Sequence, residues 1–177
     1  MAVVASKRAI GIGLTDAVAL LFVLVVPALS HMTTVPFYLL DPMRLAVLGA
    51  LIASRSRVNG LVLGVALPLV SFAISGHPVF PKCLVIAAEL SVNVLLFVWL
   101  ERMFSGRRFG VGIAAFASIL LSKAFYYGLK ALVLGAGLMQ MELVSTALWV
   151  QLVVAVLISA GFVLFWRSDR FRQTADS

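Results

Sequence analysis

Long apolar stretches alternate with short polar segments along almost the whole chain, and this pattern predicts its helices. Most of the apolar stretches reach the length of about 18–25 residues that a helix needs to span a bilayer. The pattern predicts a single transmembrane domain, residues 1–177, with six helices at about 8–30, 43–54, 58–75, 79–101, 110–135 and 143–166. The predicted fold class is an all-α, integral membrane six-helix bundle.

The second predicted helix is short for a membrane span. Asp41-Pro42 supplies its start, with Asp41 as the N-cap and Pro42 as the first helical residue. Three explanations for its length remain open. The helix starts one turn earlier, lies partly in the membrane interface, or crosses where the bilayer is locally thin.

Basic residues lie in four clusters beside the predicted helices, and their positions predict the topology. The clusters are Lys7 and Arg8; Arg55 and Arg57; Arg102, Arg107 and Arg108; and Arg167, Arg170 and Arg172. With six spans all four clusters fall on one side, which the positive-inside rule assigns to the cytoplasm. The opposite loops, about 31–42, 76–78 and 136–142, contain no lysine or arginine. Both termini are therefore predicted to be cytoplasmic.

Composition agrees with a membrane protein. Hydrophobic residues make up 63% of the chain and charged residues only 12%, whereas soluble domains carry about 25% charged residues. The net charge of +7 does not indicate nucleic-acid binding, because the basic residues lie in short clusters between apolar spans. The single Cys83 excludes an intrachain disulfide, and one thiol with two histidines makes no familiar zinc site. We expect neither a metal nor a cofactor.

The N-terminus has a second interpretation. Lys7-Arg8, the apolar run that follows and Ala28-Leu29-Ser30 loosely resemble a secretory signal with a cleavage site of small residues. Asp16 interrupts this run, which is also longer than a usual signal core. We therefore favour a first transmembrane helix.

Small residues recur every four positions on the first helix. They are Ala5, Ala9, Gly13 and Ala17. Such a strip allows another helix to approach closely. It serves either packing within this bundle or docking of a partner helix. Gly60 and Gly64 form the same pattern in the third helix, where internal packing is the favoured explanation.

Ionisable residues inside the apolar spans are candidates for a binding site, because such charges usually face the bundle interior and pair. Glu89 and Asn93 share one face of helix four, and Lys123 lies at a similar depth in helix five. We predict a polar pocket that opens outward. The complete set of predicted pocket residues is Glu89, Asn93, Lys123, Tyr126, Tyr127, Lys130, Lys82, Arg44, His77 and Trp149, with His31, Gln140 and Gln151 as weaker candidates.

Each of these residues has an assigned place in the predicted pocket. Glu89, Asn93 and Lys123 form the floor. The rim consists of Lys82, Lys130, Arg44 and His77, and the flat walls are Tyr126, Tyr127 and Trp149. An excess of lysine over carboxylate favours an anionic ligand. The alternative is an ion pair between Glu89 and Lys123 that only holds two helices together, with Lys82 and Lys130 extending to the outer interface.

No catalytic motif is present. The sequence contains no HExxH, GxSxG or Walker loop, and no pair of intramembrane aspartates. Asp16 and Glu142 stand alone in the sequence. We therefore expect a protein that is not an enzyme.

The segment SGHPVFPKCLVIAAELSVNVLLFVWLER resembles the middle of the substrate-binding S components of energy-coupling-factor (ECF) transporters, bacterial importers of vitamins and related micronutrients. The shared features are a glycine-rich third helix, a short outer loop, a proline-containing helix start and a Glu-Leu pair. They correspond here to Gly60, Gly64, Gly76, Pro78, Pro81, Glu89 and Leu90. The later stretch ILLSKAFYYGLKALVLG resembles the polar fifth helix that faces the ligand in that family.

This resemblance implies a multi-pass, non-enzymatic subunit of the bacterial cytoplasmic membrane. Its ligand would lie on the outer side, beneath the loops at about 31–42 and 76–80. It would deliver the ligand by toppling in the membrane, with a transmembrane coupling protein and two ATPase subunits as partners. Small residues on helix one contact the coupling protein in that family, and Ala5, Ala9, Gly13 and Ala17 match this pattern except for the glycine.

Two other classes of function remain open. A small multi-span scaffold of a cell-shape or envelope complex, of the rod-shape-determining type, has similar size and hydropathy and needs no ligand. A stand-alone transporter or a membrane enzyme is the third class. An internal repeat would favour the transporter, and the two halves of the chain show no convincing match.

Overall fold

The described part of the chain consists of helices and their connections. The computed structural model describes residues 2–32, 41–76, 78–105, 107, 109–138 and 147–165, with the side chains of the first helix described for residues 10–25. These residues form six α-helices and no strand. The helices are α1 (Ala2–Met32), α2 (Pro42–Ser54), α3 (Arg57–Ser75), α4 (Phe80–Met103), α5 (Gly110–Gly135) and α6 (Leu148–Phe165). The all-α, six-helix prediction is confirmed.

The predicted boundaries are close to the observed ones for the four central helices. The larger differences are at the first and last helices, since α1 begins at Ala2 and α6 at Leu148. Local chemistry explains both ends of α3. The Ser56 Oγ accepts a hydrogen bond from the Asn59 backbone N–H at 3.3 Å, and Gly76 ends the helix at a φ of 69°. Glycine adopts this left-handed conformation without the steric cost that other residues incur.

Two apolar cores hold the bundle together. One lies among α1, α2, α3 and α4 and includes Val47, Leu67 and Val94. The other lies among α2, α4, α5 and α6, where the rings of Phe97 and Phe162 pack with centroids 4.8 Å apart. Because α2 and α4 contribute to both cores, they connect the two halves of the bundle.

Gly60 and Gly64 bring α3 close to its neighbours, as predicted. A Cβ added at Gly60 would lie 3.2 Å from Leu51 Cδ1 and 3.3 Å from a Val94 methyl. A Cβ added at Gly64 would contact the Leu90 backbone at 3.5 Å. These small residues therefore serve internal packing.

α2 occupies only part of the bundle's length. Its 13 residues extend about 20 Å at 1.5 Å per residue, against about 30 Å for the hydrocarbon core of a bilayer. Asp41, just before α2, contacts Lys123 near the middle of α5. The helix is therefore short because it begins deep in the bundle, beside the middle of a longer helix.

The apolar helices indicate a membrane-embedded protein. Three helices, α3, α4 and α5, are long and apolar enough to cross a membrane. The other apolar helical segments are shorter, at Ile10–Val25, Pro42–Ser54 and Leu148–Leu164. Many large apolar side chains on α1 and α6 face outward, as lipid contact requires.

Short connections bring two of the basic clusters to the same end of the bundle, which we call the arginine end. The α2–α3 connection carries Arg55, with Arg57 starting α3, and the α4–α5 connection carries Arg107. The assignment of this end to the cytoplasm stays a prediction. The basic side chains near residue 7 and those after residue 165 lie outside the described side chains.

Candidate functional site

Four charged side chains meet where α2 begins, and we call them the charge quartet: Asp41, Arg44, Glu89 and Lys123. Arg44 Nη2 forms an ion pair with Glu89 Oε1, and Arg44 Nε lies 3.2 Å from Asp41 Oδ2. Lys123 Nζ lies 3.1 Å from Glu89 Oε1 and 3.1 Å from Asp41 Oδ2. Each carboxylate therefore contacts both cations, and the quartet joins α2, α4 and α5.

The conformation of Asp41 positions it for this role. Asp41 occupies the N-cap position predicted for it, but its φ of 50° is left-handed and its side chain makes no capping hydrogen bond. A left-handed conformation is uncommon for a residue other than glycine and carries a steric cost. The Asp41 carboxylate pairs with the side chains of Lys123 and Arg44, so its main contacts are within the quartet and not those of a side-chain cap.

The quartet has a buried side and a more open side. The side chains of Arg44 and Glu89 are 1% and 4% exposed, whereas those of Lys123 and Asp41 are 23% and 28% exposed. A charge at the centre of a bilayer costs at least about 2.5–3.5 kcal/mol on insertion scales, so buried charges in membrane proteins pair. Two carboxylates and two cations balance within this group. Its formal charge is therefore zero.

A second polar layer lies one helical turn along α4, toward the arginine end. Asn93 is fully buried, and its Nδ2 donates to Ser118 Oγ at 3.4 Å. The other side of this amide is unsatisfied, because Asn93 Oδ1 has no hydrogen-bond partner. Arg44 Nη1 also has none, and Arg44 Nε lies near Asp41 without hydrogen-bond geometry. A buried donor and a buried acceptor are thus left without partners beside the quartet.

Tyr126 lies on the same face of α5 as the lysine of the quartet. Its ring centroid is 5.2 Å from Lys123 Nζ and 5.8 Å from Lys130 Nζ, distances at which a cation is attracted to an aromatic ring. Tyr127 meets the Tyr126 ring edge-on at 5.3 Å, and its hydroxyl accepts a hydrogen bond from Gln151 Nε2 at 2.6 Å. Tyr126 therefore extends the polar region, whereas Tyr127 connects α5 to α6.

Other predicted pocket residues lie elsewhere or are placed differently. Trp149 is 71% exposed on α6, so its indole faces away from the bundle and forms no wall. Lys130 is fully buried and does not extend to an interface, whereas Lys82 is half-buried in the first turn of α4. His77 and Gln140 lie outside the described residues, as does the side chain of His31.

Asp16 does not stand alone, which corrects the sequence-based expectation. Its Oδ1 accepts a hydrogen bond from Asn59 Nδ2 at 2.7 Å, joining α1 to α3. Partners this far apart in sequence were not visible in the local pattern. The pair gives Asp16 a structural role on the outer helix.

The small-residue strip on α1 faces outward where its side chains are described. Gly13 and Ala17 are exposed, and a Cβ added at Gly13 would meet nothing within 4 Å. These two residues therefore do not serve packing within the bundle. The side chain of Ala5 and that of Ala9 lie outside the described ones, so docking of a partner helix stays a prediction.

A separate apolar groove of about 300 Å³ lies between α2 and α6. Its walls include Leu45 and Gly49 on one side and Val154 and Phe162 on the other. None of the quartet residues lines it. The groove thus lies apart from the polar cluster.

The site contains no arrangement for holding a metal among its described residues. No group of three or more histidine, cysteine, aspartate or glutamate side chains is placed to bind an ion in the described part of the chain. The described side chains of the site offer ion pairing, hydrogen bonding and contact with the Tyr126 ring.

Asp41 and Ser118 complete the site but were not predicted to belong to it. Asp41 was assigned only a capping role, because its depth depends on where α2 starts in the bundle. The spacing of Asp41 and Arg44, three residues apart, indicated that the two side chains could pair with each other. It did not indicate that they reach Glu89 and Lys123. Ser118 carried no such signal.

Comparison of the chain with family models, curated proteins and solved structures gives no match.

Proposed function

We propose that this chain is the membrane-embedded substrate-binding subunit of an ECF-type importer. It captures a vitamin or related small molecule from the outer side of the bacterial cytoplasmic membrane, and both of its termini are cytoplasmic. The observation that carries the proposal is the buried polar region, in which Arg44 Nη1 and Asn93 Oδ1 lack partners beside a charge quartet. Buried polar groups without partners are costly, and binding sites are where such groups are retained.

In this proposal the quartet and Asn93 hold the polar part of the substrate. Lys123 and Asp41, the more open pair, face the approaching molecule, while Arg44 and Glu89 form the base of the site. The ring of Tyr126 supplies a flat contact surface. Substrate pockets commonly combine a few convergent polar groups with aromatic walls.

The partners follow from the same proposal. A transmembrane coupling protein docks on the small-residue strip of α1, where Gly13 and Ala17 are exposed. Two ATPase subunits bind that coupling protein and supply the energy. In this proposal ATP is used by those subunits, since the sequence of this chain contains no phosphate-binding loop. The outward position of Gly13 and Ala17 supports docking, since small residues permit close helix contact.

Affinity purification from native membranes in a mild detergent tests this proposal. Mass spectrometry of the eluate is expected to identify a transmembrane coupling protein together with ATPase subunits. Gly13→Leu should reduce their recovery, because its bulk would hold a docked helix away. Gly128→Leu is the matched control, because Gly128 is also helical and exposed, with nothing within 4 Å of an added Cβ.

One observation favours the second candidate, a scaffold of a cell-shape or envelope complex. The quartet's charges neutralise one another within the protein, which is all that a structural link among α2, α4 and α5 needs. A scaffold would co-purify with cell-wall or division proteins and hold no small molecule. That result would contradict the importer proposal.

A further inference from the structure

The charge balance of the site constrains what it can hold. Sequence alone counts lysines against Glu89 and favours an anionic ligand, but the structure adds Asp41 to the same cluster at 3.1 Å from Lys123. The quartet is thus already neutral. A ligand with a net negative charge would leave an uncompensated charge among side chains that are 1% and 4% exposed. Burying an unpaired charge is unfavourable in a low-dielectric interior.

Lys130 is a buried cation that lies outside the quartet. It lies seven residues beyond Lys123 on α5, about 10 Å along the helix at 1.5 Å per residue. It is buried on the Tyr126 ring and has further interactions within the protein. Of the two unsatisfied atoms, Arg44 Nη1 belongs to the quartet itself, and Asn93 Oδ1 lies on the residue one turn after Glu89.

The unsatisfied atoms define the hydrogen bonds that a ligand must make. Arg44 Nη1 is a donor and requires an acceptor, whereas Asn93 Oδ1 is an acceptor and requires a donor. Arg44 contacts Glu89, and Asn93 follows Glu89 by one turn on the same face of α4. Both residues are therefore neighbours of Glu89, Arg44 through its ion pair and Asn93 along the same face of α4.

Resting on the proposed function, we infer that the substrate carries no net charge and presents a hydrogen-bond acceptor to Arg44 and a hydrogen-bond donor to Asn93. Its class is an uncharged amide, lactam or ureide, or a zwitterion. The positive and negative groups of a zwitterion would each pair with an opposite charge of the quartet. Either class keeps the buried site neutral. Either also satisfies the donor and the acceptor that the protein leaves without partners.

Extraction of the purified protein with organic solvent tests this inference. High-resolution mass spectrometry identifies the small molecules that the wild type retains through a mild-detergent purification, and lipids are identified in the same spectra. Retention is compared with Asn93→Leu, which removes the unsatisfied acceptor. Asn59→Leu is the matched control, because Asn59 is also a buried asparagine but pairs with Asp16 outside the site.

The expected result is a retained compound with zero net charge at pH 7. Asn93→Leu should retain about tenfold less, the change that ~1.4 kcal/mol of lost hydrogen bonding produces, while Asn59→Leu retains the wild-type amount. A retained anion or cation would overturn the inference and leave the importer proposal standing. Recovery of lipid as the sole bound small molecule, from a protein that still co-purifies with ATPase subunits, would have the same two consequences. A neutral compound whose retention is unchanged in Asn93→Leu would remove Asn93 from the site.

Discussion

Replacing Glu89 by glutamine should destabilise the protein substantially, because it removes one carboxylate from the centre of the quartet. Glu89 contacts both Arg44 and Lys123 and is almost fully buried. Glutamine keeps the shape and some hydrogen-bonding capacity but loses the charge. The variant therefore tests the electrostatic contribution with little change in packing.

The structure indicates which cation is left without compensation. Lys123 keeps Asp41 at 3.1 Å and is 23% exposed, so it loses little. Arg44 is 1% exposed, and Asp41 is the one carboxylate of the quartet that it keeps, in a contact without hydrogen-bond geometry. Removing one partner of a buried ion pair typically lowers the free energy of unfolding by about 3–5 kcal/mol. We expect about 3 kcal/mol here, since the second carboxylate remains.

Thermal unfolding in detergent measures this change. At about 2–4 °C per kcal/mol for a chain of this size, the midpoint should fall by about 6–12 °C. Arg57→Gln should leave the midpoint unchanged, because Arg57 is exposed at the start of α3. The double variant Glu89→Gln with Arg44→Met should unfold above Glu89→Gln alone, because it removes the cation left without its partner.

Two outcomes would refute this reasoning about the quartet. The first is a Glu89→Gln midpoint within about 2 °C of the wild type, which at this chain size corresponds to at most about 1 kcal/mol. The second is a double variant that unfolds at or below the midpoint of Glu89→Gln alone. In both cases the four charges would not be acting as one coupled group.

Three further predictions concern contacts between helices and the space around helical glycines. Asp16→Leu should cost about 1–3 kcal/mol in thermal unfolding, because it leaves the Asn59 amide without its partner at 2.7 Å; a double variant with Asn59→Leu should recover part of that loss. Gly112→Ala should cost about 1–3 kcal/mol, because the added Cβ would lie 2.5 Å from Val163 Cγ2 and the Val163 side chain would have to shift. Gly128→Ala should be neutral or stabilising by up to about 1 kcal/mol, because its Cβ meets nothing and alanine favours the helix. Equal midpoints for the two alanine variants would contradict the packing explanation.

Much of the fold was predictable because helix positions follow from local pattern. Apolar stretches bounded by polar and proline-containing segments predicted α2, α3, α4 and α5 with boundaries close to those observed. The pairing of Glu89 with Lys123 was also predictable. Two opposite charges at similar depth in adjacent apolar helices have few other ways to be compensated.

The rest depended on how the helices are placed relative to one another. The depth at which α2 starts determines that Asp41 and Arg44 join the quartet, and no local pattern encodes that depth. The rotation of each helix about its own axis was not predictable either. It turns Trp149 away from the bundle and buries Lys130. Asp16 and Asn59 were likewise separated by 43 positions in the sequence.

Native mass spectrometry of the detergent-purified protein tests the central claim most directly, which is that the buried polar region holds a small molecule. We predict that the wild type carries the added mass of a bound non-lipid compound. Asn93→Leu should lose that mass while remaining folded, and Asn59→Leu should keep it. A folded wild-type protein with no added mass, or an added mass unaffected by Asn93→Leu, would contradict the account.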